Sequence, residues 1–274
     1  ITEEWVHFKS HIDGSQHYFD AERVMDIQSN IGADIIMAFD ECAPGDSSHA
    51  YAKAAMERTH RWAIRSLNQV KKNNILRKEK WEHEQALFPI IQWVIHDDLR
   101  IESAQFISSM DTHWVAIWWL SVWESTDDMY RILDVVQPHL PEHKPHYLMW
   151  VGRPENLVEA IARWIDMFDC VLPTRLGRHW RAFGTHGDIN IKNLKYKLDT
   201  SPIDPECPCK VCSTHTRGYL RHLLIENEMH GMELLSYHNL AFLIHITKQS
   251  REAILENRFD DFRKEFWNKL NNKK

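Results

Sequence analysis

Apolar and polar positions along this chain follow two alternating rhythms. In "DAERVMDIQSN" apolar residues recur at helical spacing behind Asp20, a good N-cap, and Gly32 is a natural stop, so a helix is expected over Ala21 to Asn30. "DIIMAFD" then runs almost wholly apolar and ends on acids, as a strand buried on both faces does. An amphipathic stretch from about Ser48 to Lys72 predicts a long second helix. The pairing then repeats. "ALFPIIQW" reads as a strand and "DDLRIESAQFISSM" as a helix; "WVAIWWLSV" as a strand and "STDDMYRILDVVQPHL" as a helix. "PHYLMWVG" and "PENLVEAIARWI" follow in the same order, with Pro154 near the first helical turn, and "MFDCVLP" is one more strand.

Five apolar strands alternating with helices predict an α/β fold of parallel βα units, either a barrel or an open doubly wound sheet. In both, chemistry collects at the C-terminal ends of the strands. Those ends carry Asp40, Gln92, the Trp119–Leu120 pair, Met149 and Asp169. From Phe183 the character changes: "KNLKYKLDTSPIDPECPCKVC" is basic, punctuated by proline and rich in cysteine, and helices are expected over Thr216 to His230 and Ser236 to Glu256. The expected organisation is a βα portion at 1–182, a zinc-binding subdomain with its following helices at 183–256, and a helical tail at 257–274.

With 43% hydrophobic and 26% charged residues among 274, the composition is that of a globular protein with a sizeable core. No apolar run approaches the ~20 residues of a membrane span, and "ITEEWVHFKSHIDGS" lacks the flanks of a signal peptide. The absent initiating Met suggests a chain that begins partway into a longer protein. A net charge of −6 gives no bulk attraction to nucleic acid, which leaves only local basic patches for that role. "PTRLGRHWR" is one such cluster, with Arg175, Arg178 and Arg181; it reads as a phosphate site or as a solvated basic loop. Three of the five cysteines crowd into "CPCKVC", which indicates a metal site in a reducing cytoplasm rather than a disulfide framework. Cys207, Cys209 and Cys212 suit a tetrahedral, structural zinc that needs one more ligand. Spacing leaves many of the 18 histidines open for that place; His238 in "SYHNLAFL" sits at the start of an expected helix that could fold back. Asp40 and Asp169 read either as a nucleophile, base or N–H acceptor, or as members of ion pairs and helix caps.

"ADIIMAFDECAP", "MERTHRWA", "YLMxVGxPENLVEAIARxIDMFDCVLPTR" and "CxCxxC…TRGYLRHLL…LLSYHNLAFL" together resemble the tRNA-guanine transglycosylases over nearly the whole chain. The resemblance implies a (β/α)8 TIM barrel, here incomplete at its N-terminus, with a late zinc-binding subdomain, acting in the cytoplasm as a homodimer and away from membranes. It implies exchange of the wobble guanine, position 34 of tRNAs with a GUN anticodon, for a 7-deazaguanine in queuosine biosynthesis. Asp169 matches the nucleophile that attacks C1′ to leave a covalent ribosyl-aspartate. Asp40 matches the residue that accepts the N1 and amino protons of guanine, with Gln92 and the backbone N–H of Trp119 donating to O6. The Leu120 carbonyl matches an acceptor for the incoming aminomethyl group, and Met149 a contact on the base face. Arg175 and Arg178 match tRNA-phosphate ligands, and Cys207, Cys209, Cys212 and His238 the zinc ligands. Cys42 after "FDE", together with Val122, implies the bacterial branch, which inserts preQ1. The family's "DSGG" motif, whose Asp serves as general acid/base, does not occur, and Pro89 and Val94 replace glycines of the strand bearing Gln92. A non-catalytic tRNA-binding partner subunit of the same family is the alternative; such subunits generally lose the two aspartates that Asp40 and Asp169 match.

The chain has 12 Trp and only 9 Gly, against a glycine norm of ~7%. Trp5, Trp93, Trp114, Trp118, Trp119, Trp123, Trp150, Trp164 and Trp180 stand where the family carries glycine, whereas Trp62 matches a family Trp. Trp81 and Trp267 are left undecided. Returning those nine positions to glycine removes both compositional anomalies. Some bacterial lineages read UGA as glycine, and translating such a gene with UGA as Trp would give this pattern. With an indole at 119 in the purine pocket, the chain as written is expected to misfold or to be inactive.

Overall fold

Asp20 accepts the backbone N–H of Arg23 through its carboxylate and so starts the first helix, and Gly32, at φ 81°, ends it in a left-handed turn. Ahead of this helix lies an antiparallel hairpin absent from the sequence reading, β1 (Val6–Lys9) and β2 (Gln16–Phe19), with Val6 opposite Phe19. The computed structural model describes residues 1–92, 96–118 and 126–272. The helix just described is α1 (Ala21–Ile31), followed by β3 (Ile35–Met37) and α2 (His49–Glu79). Ser48 caps α2, which runs about two turns past its expected end. Its buried positions, among them Ala52, Ala55, Met56, Thr59, Trp62, Ala63 and Ser66, recur at three and four residues and form one face.

"ALFPIIQW" divides at Pro89 into β4 (Ala86–Phe88) and β5 (Ile90–Ile91). Proline lacks the N–H that a continuous ladder uses. β4 pairs in parallel with β3, while β5 pairs in parallel with β6 (Val115–Ile117), and β6 with β7 (His146–Leu148). Between them run α3 (Asp97–Ser108) and α4 (Thr126–Val136), then α5 (Pro154–Ile161) after β7. β8 (Met167–Phe168) extends the sheet to the order β5-β6-β7-β8. The pairs β3–β4, β5–β6 and β6–β7 are therefore parallel neighbours in chain order, as βα units require. Among the described residues they form an α/β architecture without closing on themselves.

"PTRLGR" is not a loop: α6 (Leu172–Arg178) carries it, with Pro173 in the first turn where no N–H is needed. Then come a second hairpin, β9 (Arg181–Ala182) with β10 (Ile189–Asn190), and the helices α7 (Lys210–Thr214), α8 (Arg217–Ile225), α9 (Met229–Leu255) and α10 (Phe259–Asn271).

The chain divides into two compact units, 1–149 with 163–167, and 150–162 with 168–274. In the first, Phe88, Ile90, Ala116 and Met149 are buried together, with Met37, Tyr147 and Met167 packed against them. Trp62 is fully buried, stacks on Phe39 at 4.7 Å and donates its indole N–H to the Glu3 carbonyl at 2.7 Å. In the second unit, Glu159 of α5 is buried and receives the guanidinium of Arg263 and the indole N–H of Trp267, so α10 is tied to α5.

Candidate functional site

β3 delivers Asp40 just past its C-terminal end, and both neighbours of Asp40 are fixed to α2. The Phe39 N–H donates to Ser66 Oγ at 3.3 Å, and the Glu41 N–H to Thr59 Oγ1 at 2.9 Å. The Glu41 carboxylate is buried and accepts from the Arg58 guanidinium and, at 2.8 Å, from the Tyr51 hydroxyl. Asp40 itself is half-buried, and burial pushes its carboxyl up to about 7. The Gln92 amide, buried at the end of β5, donates through Nε2 to Asp40 Oδ2. The structure thus brings Asp40 and Gln92 together as a donor–acceptor pair. Met149 directly follows β7 on the same unit, buried against Phe88 and Ala116. Trp119 and Leu120 lie outside the described residues, as do Trp93, Val94, Val122 and Trp123.

In the second unit Asp169 follows β8 and is exposed, with Oδ1 accepting the backbone N–H of residue 150 at 2.9 Å. The loop carrying it is packed against Gly152: a Cβ there would stand 2.4 Å from Cys170 Cβ and 2.7 Å from its Sγ, so only glycine permits the approach. Arg175 and Arg178 are exposed on α6, and Arg181 on β9; none has an acidic partner among the described residues. Such guanidiniums are free to meet phosphate oxygens.

Cys207, Cys209, Cys212 and His238 hold their ligand atoms within 4.8 Å of one another. His238 lies well inside α9 rather than at its start, because "MHGMELL" continues the helix seven residues earlier than the pattern suggested. Its Nε2–H donates to the Phe183 carbonyl at 2.8 Å, which turns the Nδ1 lone pair toward Cys209 Sγ at 3.4 Å and Cys212 Sγ at 3.3 Å. Tetrahedral bonds of ~2.3 Å to sulfur and ~2.0 Å to nitrogen put those atoms about 3.5 Å apart, so the donor set fits zinc. The adjacent Asn239, fully buried, accepts from the Phe183 N–H and donates to the carbonyls of Pro173 and Arg181, fixing α9 against that hairpin.

Sequence reasoning missed Glu41, Arg58, Tyr51 and Asn239. The available signal was a second acid directly after Asp40 and an amide directly after His238.

These features define an α/β protein with carboxylates at its strand ends and a Cys3His metal-ligand cluster. The family model described as Queuine tRNA-ribosyltransferase matches residues 1–272. The queuine tRNA-ribosyltransferase of Herpetosiphon aurantiacus is 50% identical over 96% of this chain and 64% of its own length. Those of Acetivibrio thermocellus and Bacillus subtilis are 48% and 46% identical over 100% and 97% of this chain, and over 71% and 68% of theirs. The chain belongs to the queuine tRNA-ribosyltransferase family. It spans 64% of the length of the first of these relatives, just under two thirds. No helix among the described residues is long and apolar enough to cross a membrane.

Proposed function

We propose that the protein to which this chain belongs is a tRNA-guanine transglycosylase of bacterial type, acting in the cytoplasm as a homodimer on a (β/α)8 barrel. It replaces guanine 34 of GUN-anticodon tRNAs with preQ1. Asp40 in its ionised form accepts the N1 and amino protons of the purine, which only a group with two acceptor oxygens does. Gln92 turns its amide from Asp40 to O6, with the backbone N–H of residue 119 beside it, and Leu120 accepts from the aminomethyl group. Met149 covers the base, while Arg175 and Arg178 hold phosphates of the tRNA.

An Asp169 oxygen attacks C1′ as the C1′–N9 bond breaks and its electron pair leaves with guanine, which takes a proton. N9 of the incoming deazaguanine then displaces the carboxylate and gives up its own proton. Two inversions at one carbon retain configuration. Cys207, Cys209, Cys212 and His238 would hold a structural zinc, which supplies cross-linking and leaves no open coordination position for the reaction.

What supports this reading most is the Asp169 carboxylate, exposed at a strand end with one oxygen held by a backbone N–H. The test is denaturing electrophoresis of the full-length protein with substrate tRNA. A covalent RNA–protein band that forms, is chased by preQ1 and is abolished by Asp169→Asn is expected. tRNA binding without a band would identify the non-catalytic partner subunit instead.

A further inference from the structure

Six described residues other than glycine have a left-handed backbone: Asn227, Asn257, Trp81, Trp150, Trp164 and Trp180, with φ from 54° to 68°. Asparagine tolerates this region because its short polar side chain bonds locally, whereas a bulky side chain there is a genuine outlier. Three helix ends make the comparison direct. Past α8, the Asn227 N–H reaches the Leu224 carbonyl at 3.3 Å and the Glu228 N–H the Leu223 carbonyl at 2.9 Å. Past α9, Asn257 reaches Ile254 at 3.0 Å and Arg258 reaches Ala253 at 2.9 Å. Past α2, Trp81 reaches Lys78 at 3.1 Å and Glu82 reaches Arg77 at 3.0 Å. All three are the same helix-ending turn, and its left-handed position is the one glycine most often fills, with asparagine next. Trp180 holds the corresponding place past α6, its N–H on the Gly177 carbonyl at 3.1 Å.

Nothing in the packing compensates Trp81, whose side chain is 96% exposed, and Trp150 and Trp164 are also half-exposed or more. The backbone N–H of residue 150 donates to Asp169 and the residue 164 carbonyl accepts from His146 Nδ1 at 2.8 Å, while the Trp180 ring lies under Lys192 Nζ at 4.7 Å. Trp62 and Trp267 are the opposite case: ordinary backbone and a used indole N–H.

We infer that residues 81, 150, 164 and 180 are glycine in the working protein. The inference stands on backbone conformation, apart from any assumed activity. It separates Trp81 from Trp267, which the family resemblance left undecided. It does not extend to Trp5, Trp114 or Trp118, whose backbone is not left-handed.

Two measurements decide it. Peptide sequencing by mass spectrometry of the protein from its own cells is expected to find glycine at the four positions and tryptophan at 62 and 267. Tryptophan at any of the four overturns the inference. In recombinant protein, the four Trp→Gly replacements made together are expected to melt several degrees higher than the same four made as Trp→Ala. Alanine removes the indole but keeps the Cβ that resists this backbone. Equal melting temperatures would make indole bulk, not conformation, the cause, and would also overturn it.

Discussion

Asp40 joins two demands that conflict at the scale of one residue. Its proposed role toward guanine needs the carboxylate, while burial favours the acid and lifts it from 3.8 to about 7. With the folded value above the unfolded one, its stabilising contribution is full below about pH 4 and is lost as pH rises through about 7. The melting temperature of the ligand-free protein is therefore expected to carry a downward component across that window, absent in Asp40→Asn. Purine binding runs the other way. The KM for guanine should rise as pH falls below about 7, approaching tenfold per unit; a profile flat from about pH 5.5 to 8 would refute the assignment of Asp40 to the purine. Gly152→Ala tests the proposed nucleophile without touching it. The new methyl displaces Cys170 and with it Asp169, so base exchange should drop at least roughly tenfold, with about 1–3 kcal/mol of stability lost to overpacking.

At the scale of elements, the order and kind of most helices and strands were legible. Asp20 and Gly32 bracket α1 as capping chemistry dictates, and apolar runs mark β3, β6 and β7. α6 was not, since "PTRLGR" offers no apolar stripe, and its proline and glycine read as breakers. Both have positions that suit a helix. Pro173 sits in the first turn, and a Cβ on Gly177 would lie 2.6 Å from Ser236 Oγ of α9, so the pair of helices needs that gap. The bracing of Asp40 by α2 was hidden for a different reason, because Glu41, Arg58 and Tyr51 are charged or polar residues that meet only after folding. Glu41→Ala leaves Arg58, itself largely buried, with only a distant acidic partner among the described residues, Glu3 at 3.6 Å. A loss of roughly 2–4 kcal/mol is expected by denaturant unfolding, together with a raised KM for guanine that Glu41→Asp partly restores.

For the whole molecule, the cysteine motif foretold a metal cluster but not its fourth partner's surroundings. Spacing left the fourth ligand open and the family resemblance named His238; the Phe183 carbonyl that orients its ring shows only in the fold. Treatment with a strong chelator at neutral pH should lower the melting temperature by about 10 °C or more, and added zinc should restore it, since metal binding is folding free energy in such clusters. A chelated protein that melts unchanged would remove the metal from the account. The clamp on Glu159 carries a last consequence. α10 grips α5, and the loop that leads into α5 is the one pressed on Cys170, beside the proposed nucleophile. Trimming the final turns of this polypeptide should therefore register at a carboxylate nearly a hundred positions upstream, as slower turnover rather than weaker tRNA capture.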